Sequence, residues 1–139
     1  MKKIYFAGSI SSGREFAPIY RELIKTLKNY GNVLTEHIGE ETLTSAGENL
    51  SDNTIHDRDV GWISLADVII AEVSVSSLGV GYELGRAVEQ NKNILCLYQP
   101  LDGRRLTGMI SGCDGIVCKK YKDILQANKI IKNYFETII

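Results

Sequence analysis

One hundred and thirty-nine residues, 44% apolar and 24% charged, have the size and balance of one globular domain spanning residues 1–139, not of a disordered or low-complexity chain. Sixteen Lys and Arg against seventeen Asp and Glu leave a net charge of −1, without the basic surplus of a protein that lives on nucleic-acid polymer or an anionic membrane. The apolar stretches fall short of the ~20 residues of a membrane span, and Met1 to Phe6 runs into Gly8 and Ser9 too soon to build a signal sequence. Cys96, Cys113 and Cys118 form no Cys-x-x-Cys pair, so buried thiols in a reducing cytoplasm are expected. His37 and His56, the only histidines, lack metal-cage spacing, and no metal is expected.

In chain order, the apolar run Ile4–Ala7 predicts a first strand. Phe16, Ile19, Tyr20, Leu23, Leu27 and Tyr30 recur at helical spacing, with Gly31 as the expected stop. Val33–Leu34 predicts a second strand, and the polar Gly39–Asn53 segment a mobile surface loop. Ile55, Asp59 and Trp62 share a helical face. Asp67–Val73 reads as a third strand, followed by a helix beginning near Gly81 with Leu84, Ala87 and Val88 facing a core. Asn93–Tyr98 and Gly115–Cys118 supply two more strands, and Ile124, Leu125, Ile130, Ile131 and Phe135 mark a closing helix. Strand runs such as Val68-Ile69-Ile70-Ala71 are continuously apolar, the mark of parallel strands buried on both faces. The expected fold is α/β: a small doubly wound five-stranded parallel sheet, flavodoxin- or Rossmann-like, in order 2-1-3-4-5 with helices on both faces. Ligands in such folds bind beyond the carboxyl ends of the strands.

The residues after each strand therefore carry the chemistry. Gly8-Ser9-Ile10-Ser11-Ser12-Gly13 offers small residues, hydroxyls and a helix start, which suit a phosphate; it reads equally as a βα turn with a serine cap. It is neither a Gly-x-Gly-x-x-Gly fingerprint nor a Walker A loop, which points away from NAD and ATP. After the third strand, Ser74 to Arg86 brings three serines and two glycines to a helix whose first turn is expected to carry Glu83. The helix field would keep that carboxylate ionised, as a nucleophile requires, although the same field favours an acid there without any function. Gly85 inside the helix predicts close packing. Asp59 and Trp62, three apart, project together as an acid beside an indole, either a base pocket or a core anchor with a salt-bridge partner. Glu72 competes with Glu83 as the functional acid. Paired carboxylates beside a phosphate cradle point to glycosidic-bond chemistry on a nucleotide.

The stretches Tyr5-Phe6-Ala7-Gly8-Ser9-Ile10, Val33 to His37, Asp59 to Trp62, Ala71-Glu72-Val73 and, longest, Ser77-Leu78-Gly79-Val80-Gly81-Tyr82-Glu83-Leu84-Gly85-Arg86-Ala87 carry a family likeness, as do Ile94 to Leu97 and Met109-Ile110. Over roughly Ile4 to Ile110 the chain resembles the 2′-deoxynucleoside 5′-phosphate N-hydrolases, relatives of the nucleoside 2-deoxyribosyltransferases. The resemblance implies a cofactor-free N-glycosidase with Glu83 as nucleophile on C1′, Asp59 assisting the leaving base and Tyr5 orienting Glu83. It implies a 5′-phosphate held by Gly8, Ser9, Ile10, Ser11, Ser77 and Gly79. It further implies a homodimer in which Thr107 reaches across the interface to the same phosphate, and a base pocket drawing on His37 and Trp62. Ser11 and Ser12 stand where the family commonly has an arginine followed by glycine, with Arg14, Arg86, Arg104 or Arg105 as candidate replacements. The alternatives this leaves are a deoxyribosyltransferase, a cytidylate-type ribonucleotide N-hydrolase and a nucleotide-binding sensor without turnover.

Overall fold

The computed structural model describes residues 1–10, 13–40, 43–100, 103 and 105–138, and strand alternates with helix along them. The strands are β1 (Lys2–Ala7), β2 (Gly31–Val33), β3 (Val68–Glu72), β4 (Asn93–Tyr98) and β5 (Val117–Lys120). The helices are α1 (Ala17–Leu27), α2 (Asp52–Leu65), α3 (Leu78–Glu89), the single turn α4 (Gly108–Ser111) and α5 (Ile124–Thr137), with a 3-10 turn at Glu36–Gly39. The sheet is parallel in order β2-β1-β3-β4-β5, the order expected from the sequence. Its topological switch point lies between β1 and β3, whose carboxyl ends open the crevice where ligands of doubly wound folds bind. Among the described residues no helix is long and apolar enough to cross a membrane.

Alternation along each strand sorts the side chains into two cores. Ile4, Phe6, Val68, Ile70, Leu95 and Leu97 pack with Tyr20, Leu23 and Leu27 of α1 and Ile131 and Phe135 of α5. Tyr5, Ala7, Ile69, Ala71, Ile94 and Cys96 face the other way, onto Ile63 of α2 and Val80, Leu84 and Ala87 of α3. Truncating a fully buried residue such as Leu95 or Ile70 to Ala costs about 2–5 kcal/mol, because the surrounding layers close the cavity only partly.

Several boundaries differ from those the sequence predicts. Gly31 does not stop a helix: α1 ends at Leu27 with Lys28 as its cap, and Gly31 opens β2. It is glycine because a Cβ there would sit 2.3 Å from the Lys2 carbonyl oxygen on the neighbouring strand. β2 accordingly lies earlier than Val33–Leu34, and β5 begins at Val117 rather than Gly115. Part of the Gly39–Asn53 segment is hydrogen-bonded, with a bridge between Thr44 and Gly47 and α2 already under way at Asp52 behind its Ser51 cap. Cys96 is buried, but Cys113 and Cys118 are only partly so.

Candidate active site

Strand parity decides which acid can work with Tyr5. Tyr5 points to the α2/α3 side of β1, and there its hydroxyl donates a hydrogen bond to Glu83 Oε2. Glu72, at the end of β3, has the opposite parity. It is fully buried and accepts hydrogen bonds from the Tyr121 hydroxyl, the Ser74 N–H and the Ser74 hydroxyl. Glu72 therefore does not compete with Glu83 for this site. It anchors the β3 end to the β5–α5 connection.

Glu83 is not in the first turn of its helix. The Ser77 hydroxyl caps α3 by accepting from Val80 N–H at 3.3 Å, so the helix starts at Leu78 and Glu83 stands in the second turn, where the helix field has faded. Burial then governs its charge. Loss of solvent pushes the Glu83 carboxyl up to about 7, the Tyr5 hydrogen bond opposes the rise, and the Asp59 charge adds to it. The expectation of a carboxylate kept ionised by the helix is thus corrected: Glu83 titrates near neutrality. Tyr5 stays protonated, because burial and then the Glu83 charge raise its phenol further still. Gly79 completes this corner. A Cβ on it would lie 3.9 Å from both Glu83 Oε1 and Ser77 Oγ, so its bare backbone leaves the approach to the carboxylate open.

Asp59 faces the same site from α2. Its Oδ1 accepts from Arg58 Nε at 3.0 Å and lies 2.9 Å from Arg58 Nη2. The other edge of the guanidinium is held by Glu48, whose two oxygens accept from Nη1 and Nη2 at 2.7 Å each. His37 joins through Nε2, 3.2 Å from Glu48 Oε1. Burial raises the Asp59 carboxyl above its ordinary value, with Arg58 opposing. The fork of hydrogen bonds from Arg58 holds Glu48 below its own. His37 and Trp62 do come together, ring centroids 5.9 Å apart, as a base pocket requires. One face of the indole is covered, however, by the Arg58 guanidinium, 4.8 Å from the ring centroid, an attraction between cation and ring quadrupole.

At the end of β1, a Cβ on Gly8 would meet the Tyr20 ring at 2.9 Å, and Ser9 N–H donates to the Tyr20 hydroxyl at 3.0 Å. Ser9 is buried, and its own hydroxyl has no partner among the described residues. Ile10 is partly buried against the α1/α5 core. Ser11, Ser12 and Arg104 lie outside the described residues. Arg14 is turned toward the carbonyls of Ile38, Glu40 and Leu43, and Arg86 toward the Tyr82 hydroxyl.

Thr107 does not join the carboxylates within one chain. It caps α4, accepting from Met109 N–H, and with Arg105 lines a cavity of about 450 Å³ beside Ser77, Gly81 and Gly85 that none of Tyr5, Asp59 and Glu83 reaches. Within one chain Gly85 is not closely packed: among the described residues neither Gly81 nor Gly85 has a neighbour within 4 Å of where a Cβ would stand. Among the described residues no three His, Cys, Asp or Glu side chains gather as a metal site. What does gather is a hydrogen-bonded carboxyl titrating near neutrality, a second acid and a helix N-terminus with free N–H groups. That set suits nucleophilic displacement at a carbon whose substituent carries an anion.

Glu48 and Arg58 were missed in the sequence. Arg58 abuts Asp59 and could have been suspected, whereas Glu48 lies in a segment without periodicity and its role depends on the tertiary fold.

Comparison with known proteins gives concordant results. The family profile described as nucleoside 2-deoxyribosyltransferase matches residues 4–119. A Danio rerio protein named 5-hydroxymethyl-dUMP N-hydrolase is 49% identical over 138 residues, 97% of this chain and 96% of the relative. A Nematostella vectensis protein provisionally named 2′-deoxynucleoside 5′-phosphate N-hydrolase 1 is 46% identical over 142 residues, 99% of this chain and 96% of the relative. Among solved structures, the Clostridium botulinum CMP N-glycosidase BcmB superposes with a TM-score of 0.71 at 18% identity, covering 96% of this chain and 99% of the other, a likeness of fold.

Proposed function

The chain belongs to the nucleoside 2-deoxyribosyltransferase family, and from that premise we propose that it hydrolyses the N-glycosidic bond of 2′-deoxynucleoside 5′-monophosphates to free base and 2-deoxyribose 5-phosphate. The observation that carries this reading is the Tyr5–Glu83 hydrogen bond beside the Ser77-capped start of α3, with Asp59 facing the same site.

Tyr5 occupies Oε2 of Glu83, which leaves Oε1, on the Gly79 side, as the attacking oxygen. It bonds to C1′ as the C1′–N bond breaks; the bond pair leaves with the base, which takes a proton from Asp59. Water then attacks C1′ of the glycosyl ester, returns a proton to Asp59 and releases Glu83. Two carboxyl groups in such roles suffice for a retaining glycosidase, and a sugar without a 2′-hydroxyl reaches the oxocarbenium-like transition state more readily. The phosphate sits between Gly8, Ser9, Ile10 and Ser11 on one side and Ser77 and Gly79 on the other. Supporting this are the unpartnered buried hydroxyl of Ser9 and the N–H of Gly79, the second residue of α3, which no intrahelical carbonyl can satisfy. His37 and the uncovered face of Trp62 border the base.

The same reading makes the protein a homodimer, with Thr107 of each chain reaching the phosphate bound by the other. Exposed Met109, which lines the same cavity as Thr107, and exposed Leu78, next in sequence to its lining residue Ser77, support it, because large apolar side chains exposed around one cavity are found where another surface covers them. The cytoplasm, where nucleotides are metabolised and thiols stay reduced, is the matching compartment.

Chromatography of free base released from deoxynucleoside monophosphates, their ribo counterparts and unphosphorylated deoxynucleosides tests the proposal. Release confined to the deoxy-monophosphates is expected. Equal release from bare nucleosides overturns the phosphate cradle. Release from ribonucleotides alone assigns the cytidylate-type reaction, and transfer to an added second base in preference to water assigns a transferase. Binding without release by concentrated protein leaves a sensor.

A further inference from the structure

Asp59 is not free to choose its partners. The guanidinium of Arg58 lies between two carboxylates, with Glu48 on the Nη1/Nη2 edge through two 2.7 Å hydrogen bonds and Asp59 on the Nε/Nη2 edge through a single oxygen. The Trp62 ring backs the same guanidinium at 4.8 Å, and His37 backs Glu48 at 3.2 Å. Arg58 and Glu48 are each largely withdrawn from solvent, with side chains 22% and 14% exposed, so these bonds are poorly screened. Asp59 Oδ2 has no hydrogen-bond partner among the described residues. Planar guanidinium favours two parallel bonds to one carboxylate. Held by Glu48, the guanidinium meets Asp59 at Oδ1 alone; without Glu48, Arg58 would be free to turn so that the same edge engages both Asp59 oxygens.

We propose that Glu48 is a positioning residue for the reaction: by holding the Nη1/Nη2 edge of Arg58 it fixes the guanidinium where its other edge meets a single oxygen of Asp59, and so leaves Oδ2 to exchange a proton with the leaving base. The inference rests on the role given to Asp59 above. The groups that bear on Asp59 come from every side of the site: Arg58 on its own helix, Glu48 from the segment before it, His37 from the 3-10 turn, Tyr5 from β1 and Glu83 from α3. Of these, Glu48 raises the Asp59 carboxyl while Arg58 and His37 lower it. Removing the Glu48 charge therefore lowers Asp59 twice over, once by losing a negative neighbour and once by releasing Arg58.

Glu48→Gln keeps the side-chain volume and removes the charge. In base-release kinetics across pH, kcat is expected to fall about tenfold with KM changed less than about threefold, and the limb that reports Asp59 to move to lower pH. In an Asp59→Asn background the same substitution is expected to change the residual rate by less than about twofold, because a residue acting through Asp59 has nothing left to act on. Arg58→Lys, which retains the cation but not the fork, should not restore the wild-type profile in place of Arg58. An unshifted Asp59 limb in Glu48→Gln, identified by its disappearance in Asp59→Asn, or an undiminished effect of Glu48→Gln without Asp59, overturns the proposal. If wild-type protein releases no base, the reading of the function fails. The clamp is then judged by the ¹³C carboxyl titration of Asp59, assigned with Asp59→Asn: a lower midpoint in Glu48→Gln supports it, and an unchanged one overturns it.

Discussion

Tyr5 and Glu83, 78 residues apart in sequence, are joined by a hydrogen bond from the phenol of β1 to Oε2 of α3. Neither group is ordinary in consequence. The phenol is locked protonated by burial and then by the carboxylate beside it, and the carboxyl, pushed up to about 7 by burial, would rise further without the phenol.

Tyr5→Phe removes that donor while keeping the ring that fills the α2/α3 core. A hydrogen bond to a charged group is worth about 1.5–3 kcal/mol, so kcat at pH 7 should fall about 10- to 100-fold. Because the lost bond had favoured ionised Glu83, the limb of the profile that reports Glu83 should move above its wild-type position near 7. Steady-state kinetics over pH 5.5 to about 9, spanning the Glu83 titration, measures both effects. A proportional loss at every pH would assign Tyr5 to packing alone.

Glu83→Gln should abolish turnover and yet stabilise the folded chain above neutral pH. The folded carboxyl titrates near 7 from an ordinary 4.5, so between those values the folded state holds the extra proton and stability falls as pH rises. The loss is complete above the folded value and amounts to about 3 kcal/mol. Urea denaturation should therefore find the variant more stable than wild type at pH 8, with the gap closing toward pH 5. A variant no more stable at pH 8 than at pH 5, relative to wild type, would contradict the burial assigned to this carboxyl.

Glu72→Gln separates the two acids that the sequence left in competition. The amide cannot accept all three hydrogen bonds from Tyr121 and Ser74, and an unsatisfied buried group costs about 1–3 kcal/mol. Melting should show that loss, while kcat stays within about twofold of wild type, since Glu72 points to the opposite side of the sheet from Tyr5. Strong loss of kcat in a folded variant would return Glu72 to the site.

How far the site was legible in the sequence depends on what holds each residue. That the strands are parallel followed from continuous apolar runs, as at Val68 to Ala71, since such a strand is buried on both faces; their order followed from taking the smallest doubly wound arrangement of five strands separated by helices. Glu83 and Asp59 stood out by residue type and position, the one after the third strand and the other beside Trp62, and Tyr5 through the family likeness; the fold brings them together. Helix boundaries were less legible: Leu78-Gly79-Val80-Gly81 looks like a loop by propensity, yet the Ser77 cap starts α3 there and moves Glu83 out of the first turn. The glycines misled for a related reason. Gly31 serves close strand approach rather than a turn, whereas Gly85, expected to be packed, stands open within one chain. Glu48 carried no signal, because its partner Arg58 is ten residues away along a segment without periodicity.

Gly8→Ala tests the first loop. The new Cβ would lie 2.9–3.1 Å from three atoms of the Tyr20 ring, which is buried against Phe6 with centroids 5.7 Å apart and has nowhere to swing. Overpacking of this kind costs about 1–3 kcal/mol. Displacing Tyr20 also disturbs the acceptor of the Ser9 N–H, so KM for a deoxynucleoside monophosphate should rise more than KM for the bare nucleoside. Equal changes for the two substrates would detach Ser9 from the phosphate.

Gly85→Ala tests the dimer. In an isolated chain none of the described residues lies within 4 Å of the added methyl, and replacing Gly by Ala in an open helix interior stabilises by up to about 1 kcal/mol. In a dimer whose α3 faces approach through Gly81 and Gly85, the methyl meets the partner instead. The substitution should then weaken association and lower the melting temperature in a concentration-dependent way. It should also raise KM for the monophosphate, because Thr107, lining the same cavity, can no longer reach the other chain's phosphate. Sedimentation velocity with melts at several protein concentrations distinguishes the cases. A stabilised variant whose sedimentation matches wild type means that α3 faces solvent and that each chain completes its phosphate site alone.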